Sequence, residues 1–100
     1  MASFDGSMRT PKDVAVPVRV VVDLSAERVT LTSEGIPIAE WKLGEAQISA
    51  RSDGFHVRRG GEEMIITIKQ DAELAVMLDL RSVPIDLARR MAMVRDAQSR

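Results

Sequence analysis

The sequence predicts a mainly β protein of the α+β class, an antiparallel sheet of six or seven strands, curled or split in two and capped by a C-terminal amphipathic helix. Three observations predict it. Between Val14 and Gln70, short runs alternate apolar with polar residues, the period-two signature of half-buried strands. Turn residues separate these runs: Glu34-Gly35, Gly44-Glu45, Asp53-Gly54 and Gly60-Gly61. After Gln70 the composition shifts to Ala, Leu, Met and Arg, which favour helix.

In chain order, residues 1–13 are expected to form a flexible tail, because Ser3, Asp5, Gly6, Ser7, Thr10 and Pro11 offer little apolar surface to offset the entropy of ordering. Residues 14–98 are expected to form one β-rich domain. Its first strand starts between Val14 and Val18, with Pro17 at a strand start or on an edge because it has no amide to donate. Val18, Val20, Val22 and Leu24 share its apolar face. Ser25 to Glu27 lead into a second strand around Val29 and Leu31. Ile36 to Leu43 form a third, with Ile36 and Ile38 on one face and Ala39 and Trp41 on the other, so both faces are expected to be partly covered. Ala46, Ile48 and Ala50 mark a fourth strand, Phe55 and Val57 a fifth, and Met64 to Lys69 a sixth. Short links between all of these predict a meander of antiparallel neighbours.

Ala72 to Leu80, with Asp71 as a possible N-cap, favours a helix over a seventh strand. A second helix is expected from about Pro84 to Ala97, with Asp86 near its start and Arg89, Arg90, Arg95 and Arg100 towards its end, as the helix dipole favours. Leu87, Met91 and Val94 form one stripe of this helix; Ile85, Ala88 and Ala92 form an adjacent one. Together they exceed the usual core-facing width. Met93 lies off both stripes, beside Arg89 and Arg90, and is either exposed or covered by something outside the fold.

Composition narrows the function classes. The chain of 100 residues has 14 basic and 15 acidic side chains, a formal net charge of −1, which provides no global field for nucleic acid or acidic membranes. Its aromatic residues are Phe4, Phe55 and Trp41, too few for a base-stacking platform, so no nucleic-acid partner is expected. The lack of cysteine removes disulfides, thiolate nucleophiles and cysteine-bound zinc, and fits a cytoplasmic setting. No segment has the apolar length of a spanning helix, and the first dozen residues have no apolar centre of the secretory kind.

No constellation points to catalysis. His56 is the single histidine and reads as a surface or structural residue rather than a base or ligand. Glu45, Asp53 and Glu62-Glu63 flank turns, where solvated charge is ordinary. Arg58-Arg59-Gly60-Gly61 precedes a strand rather than a helix, so a hairpin connection is favoured over a phosphate cradle. No enzyme activity, cofactor or metal site is expected.

The succession of strands from Val14 to Lys69 with a closing helix from Pro84 to Ala97 resembles the pleckstrin-homology-like superfold, particularly its small bacterial members. The runs Arg28-Val-Thr-Leu-Thr32, Trp41-Lys-Leu43 and Asp53-Gly-Phe-His-Val57 carry the likeness. The family pattern has seven strands and a tryptophan in the C-terminal helix, whereas six strands are read here and Trp41 falls on one of them. The resemblance implies a scaffold often used for peptide or protein docking. Lipid-binding members place basic residues around the first hairpin, where this chain has Ser25, Ala26 and Glu27, so that role is not implied.

The expectation is therefore a small cytoplasmic, non-catalytic module that docks another protein through the last helix and an adjacent strand edge, with Arg89, Arg90 and Met93 as contacts. The alternative is an anionic membrane surface, met by the helix arginines including Arg95 together with Arg58 and Arg59. A homodimer through a free strand edge is also open, with Pro17 opposing it on one edge.

Overall fold

The computed structural model describes residues 2–11 and 17–98, which form seven strands, a short 3₁₀ turn and two helices. The strands are β1 (Ala2–Arg9), β2 (Val18–Leu24), β3 (Arg28–Ser33), β4 (Ile36–Lys42), β5 (Gln47–Arg51), β6 (Gly54–Arg59) and β7 (Glu62–Ile68). The helices are α1 (Asp71–Met77) and α2 (Ile85–Gln98). All strand pairs are antiparallel in one curled sheet of order β4-β3-β2-β1-β7-β6-β5. The mainly β class with a C-terminal helix is as the sequence predicts.

The expected N-terminal tail is the largest correction. Ala2–Arg9 is the central strand, paired with β2 on one side and β7 on the other, and Phe4 is buried in the core. Ala2, Phe4, Gly6 and Met8 alternate with Ser3, Asp5, Ser7 and Arg9, a strand pattern diluted by its small and polar members. Gly6 weakens the local β signal but is required here: a Cβ at this position would lie 2.2 Å from the Thr67 carbonyl oxygen. Met1, Lys12 and Asp13, which the tail expectation also covered, lie outside the described residues.

The six expected strands are present, and β1 supplies a seventh. β2 begins at Val18 among the described residues; Val14 to Val16 lie outside them. Because β1 lies between β2 and β7, the sheet departs from the simple meander expected. β4 and β5 are the one consecutive pair without a ladder between them, joined instead through the 3₁₀ turn Leu43–Glu45. Pro17 adjoins an interior strand. The edges are β4 and β5, and the proline on an edge is Pro37.

Turn chemistry sets the registers. Glu34 and Gly35 both take positive φ, 52° and 81°, between paired Ser33 and Ile36, the two-residue turn whose twist suits a hairpin. The β5–β6 reversal falls at the expected Ser52-Asp53-Gly54. Ser52 and Asp53 form the loop between paired Arg51 and Gly54, and it is Gly54, as the first residue of β6, that takes positive φ.

The core fills the concave side of the sheet with Phe4, Val22, Leu31, Trp41, Phe55 and Ile66, covered by Leu74, Leu87 and Met91 from the helices. Only one face of β4 is covered: Trp41 is buried, whereas Ile36 and Ile38 are exposed. Trp41 lines a 20 Å³ apolar void with Ile48, Phe55 and Leu78, and its Nε1 is the one buried side-chain polar atom without a partner among the described residues.

α1 ends three residues before the expected Leu80. Leu78 caps it, Asp79 takes the left-handed conformation at φ 54°, and the Asp79 and Leu80 amides donate to the Val76 and Ala75 carbonyls. This is the Schellman arrangement, with aspartate where glycine is usual. The helix start also shifts by one residue, with Gln70 in the N-cap position and Asp71 inside the first turn. In α2 the stripe Leu87, Met91 and Val94 packs inward, while Ile85, Ala88 and Ala92 remain exposed.

Two substitutions test the central strand. Phe4→Ala is expected to cost about 3–5 kcal/mol, a large part of the roughly 5–15 kcal/mol available to a small domain. Gly6→Ala is expected to destabilise by at least about 1–3 kcal/mol, because the added carbon meets backbone that the ladder holds in place. Urea unfolding followed by Trp41 fluorescence measures both; wild-type midpoints would return residues 2–9 to the status of a dispensable tail.

Candidate functional site

The helix residues expected to meet a partner separate into two kinds. Met93 is 71% exposed and Ile85 is 69% exposed, so α2 carries large apolar side chains on the surface that its core stripe leaves free. Arg89 is exposed and enters no ion pair among the described residues. Arg90, by contrast, donates to the Asp71 carboxylate and ties α2 to the first turn of α1. Arg95 lies 4.0 Å from Asp79, beside the end of α1.

The arginines assigned to anion contact are likewise engaged. Arg58 stands 3.8 Å from Glu63 across the β6–β7 hairpin. Arg59 donates to the Glu40 carbonyl oxygen at 2.9 Å, reaching from β6 to the edge strand β4. It therefore fastens the two flanks of the curled sheet where no ladder joins β4 to β5, and occupies an acceptor on the β4 edge. Arg58, Arg59 and the α2 arginines do not converge on one site.

A cleft of about 260 Å³ lies between the β5–β6 turn and the start of α2. Arg51, Ser52 and Asp53 form one wall; Pro84, Asp86 and Arg90 form the other. The free edge of β5 ends beside it, so the last helix and an adjacent strand edge do meet in space, though at the N-terminal turns of α2 rather than at Met93. Arg51 was not singled out by sequence reasoning, since one arginine at a strand end carries no signal until α2 is seen to pack opposite.

On the convex side, behind this turn, charged residues form an alternating chain: Arg9, Asp53, His56, Glu63, Arg58. Arg9 lies 3.3 Å from Asp53. His56 places Nε2 2.7 Å from Asp53 Oδ1 and Nδ1 3.0 Å from Glu63 Oε1. The aliphatic Ile65, paired with Arg9 in β1 and His56 in β6, is 3% exposed beneath them. Hydrogen bonds to Asp53 and then Glu63 raise the His56 pKa above its ordinary 6.5, outweighing the opposing effect of burial. The same contacts, led by the His56 hydrogen bond in each case, lower Asp53, aided by Arg9, and Glu63, aided by Arg58.

In its protonated form His56 donates from both ring nitrogens to carboxylates and has no lone pair to offer a metal or a substrate proton. The sequence suggests a surface or structural role for this residue, and the acids it meets are the ones read there as merely solvated. A signal existed: the Gly60-Gly61 turn pairs Arg58 with Glu63 and places Glu63 diagonally from His56 on one face. Among the described residues no group of His, Cys, Asp and Glu is arranged to hold a metal, and no helix is long and apolar enough to cross a membrane. No protein-family model and no curated protein sequence matches the chain.

The chain of charges makes stability depend on pH in two directions. The His56 contribution is complete below about pH 6.5 and is lost as pH rises through its raised folded pKa. The contributions of Asp53 and Glu63 are complete above their ordinary values of 3.8 and 4.5 and are lost as pH falls through their lowered folded values. The difference in urea midpoint between wild type and His56→Gln is therefore expected to be greatest at about pH 5.5 and to shrink towards both pH 3 and pH 9. A difference independent of pH would mean that His56 acts by packing alone.

Proposed function

We propose that this protein is a small, non-catalytic interaction module that docks another protein on α2 and the neighbouring end of the β5 edge. The observation that carries the reading is the exposure of Met93 and Ile85 on a helix whose core-facing stripe is already satisfied. Single exposed apolar residues are ordinary on protein surfaces. Here two lie on one helix of 14 residues whose N-terminal turns border a cleft beside an unpaired strand edge, so the helix offers apolar contact and the edge offers backbone hydrogen-bonding groups.

Seven antiparallel strands with a closing helix support the pleckstrin-homology-like reading, since the strand that the sequence left uncounted is supplied by β1. On that reading the scaffold suits docking, and the particular surface determines the partner. The membrane alternative gains no comparable support. Its arginines at positions 58, 90 and 95 stand beside acids and Arg59 is committed to Glu40, leaving little concerted positive charge for lipid headgroups.

Arg89→Ala/Met93→Ala is the informative variant, because neither side chain supports the fold, whereas Arg90→Ala would also release Asp71. With a partner isolated by affinity capture, the double change is expected to weaken binding at least about tenfold while leaving the urea midpoint unchanged. Undiminished binding would remove α2 from the interface. Co-sedimentation with phosphatidylserine vesicles that weakens steeply with salt, and is absent with neutral vesicles, would favour the membrane reading instead.

A further inference from the structure

We propose that His56 is a proton-operated latch on the β5–β6 turn and thereby sets the shape of the cleft beside α2. The turn has two sides. Arg51, Ser52 and Asp53 form a wall of the cleft, while the Asp53 carboxylate is held from behind by Arg9 of β1 and by His56 of β6. The charged groups around the imidazole are Arg9 from β1, Arg51 from β5, Asp53 from the turn, Arg58 from β6 and Glu63 from β7.

The imidazolium has two N–H donors and two carboxylates to receive them, at 2.7 and 3.0 Å. Neutral imidazole has one donor and one lone pair, so after the proton leaves, one carboxylate must face that lone pair. Which of the two moves is decided by the backbone. Glu63 lies within β7, held in the β6–β7 ladder by its own pairing with Arg58, two residues before the β1–β7 ladder begins at Ile65. Asp53 lies in a two-residue loop outside the ladder, where the exposed Arg9 ion pair at 3.3 Å and the Thr67 hydroxyl, donating to its carbonyl at 3.4 Å, are the tethers that remain. The turn is the part free to respond. Deprotonation loosens it and changes the cleft wall, whereas protonation fixes it.

The consequence for docking rests on the function proposed above, but the latch can be measured without a partner. In the full chain, the His56 ring resonances are expected to titrate with a midpoint above 6.5, and the amides of Ser52, Asp53 and Gly54 to follow the same midpoint. Over that step, backbone order parameters in the turn are expected to fall from about 0.85 towards 0.6, while those of α1 stay constant. His56→Gln should flatten the profile, and Asp53→Asn should move the ring midpoint back towards 6.5.

A ring midpoint at or below 6.5, turn amides that ignore it, or a turn equally rigid on both sides of it would overturn the latch. If His56→Gln does not fold, the wild-type titration and Asp53→Asn still decide the question. Failure here leaves the docking proposal standing, and retained binding by Arg89→Ala/Met93→Ala leaves the latch standing.

Discussion

The structure depends on the double pairing of β1. Without Ala2–Arg9, β2-β3-β4 and β5-β6-β7 are two separate three-stranded sheets, each with one apolar face and no ladder joining them. β1 hydrogen-bonds to both, and its Phe4 enters the shared core. The sheet can then curl around one set of side chains rather than stack two layers. Gly6 permits the closest approach, since Thr67 of β7 leaves no room there for even a methyl group. The strand with the weakest propensity is thus the one whose place in the sheet is most constrained, because its order comes from neighbours on both sides.

Curling about β1 has consequences at the flanks. β4 and β5 remain unpaired, yet Trp41 from one and Ile48 from the other line the same interior void, and Arg59 reaches across to the Glu40 carbonyl. A side chain that reads as part of a basic patch instead fastens the sheet to itself. The unpaired Trp41 Nε1 shows the cost of this closure, because an apolar seam offers the indole no acceptor. Pro37 and the Arg59 contact blunt β4, which leaves β5 as the more open edge, on the same side of the molecule as the start of α2.

Local and distant information divide clearly among the charged residues. Arg95 lies in the last turn of α2, where the helix dipole favours it, whereas Arg90 sits in the N-terminal half, outside the dipole's reach. That Arg90 meets Asp71, or that Arg58 faces Glu63, depends on how α2 crosses α1 and on the β6–β7 register. His56 is the sharpest case. Its neighbours are ordinary turn acids until the sheet brings Arg9, from the far end of the chain, against Asp53 and completes a chain of alternating sign over Ile65.

By itself, the sequence determined six of the seven strands, the antiparallel pairing within their hairpins, both helices and the two apolar stripes of α2, of which the fold buries one. These follow from periodicity and turn residues within a few positions of one another. Tertiary structure decided that residues 2–9 are a strand, that β4 and β5 part company, and which acids each arginine meets. A strand such as Ala-Ser-Phe-Asp-Gly-Ser-Met-Arg has too little intrinsic preference to declare itself. Its free energy of ordering comes from β2 and β7, 10 to 22 and 56 to 62 positions away, and contacts at that distance leave no mark on local pattern.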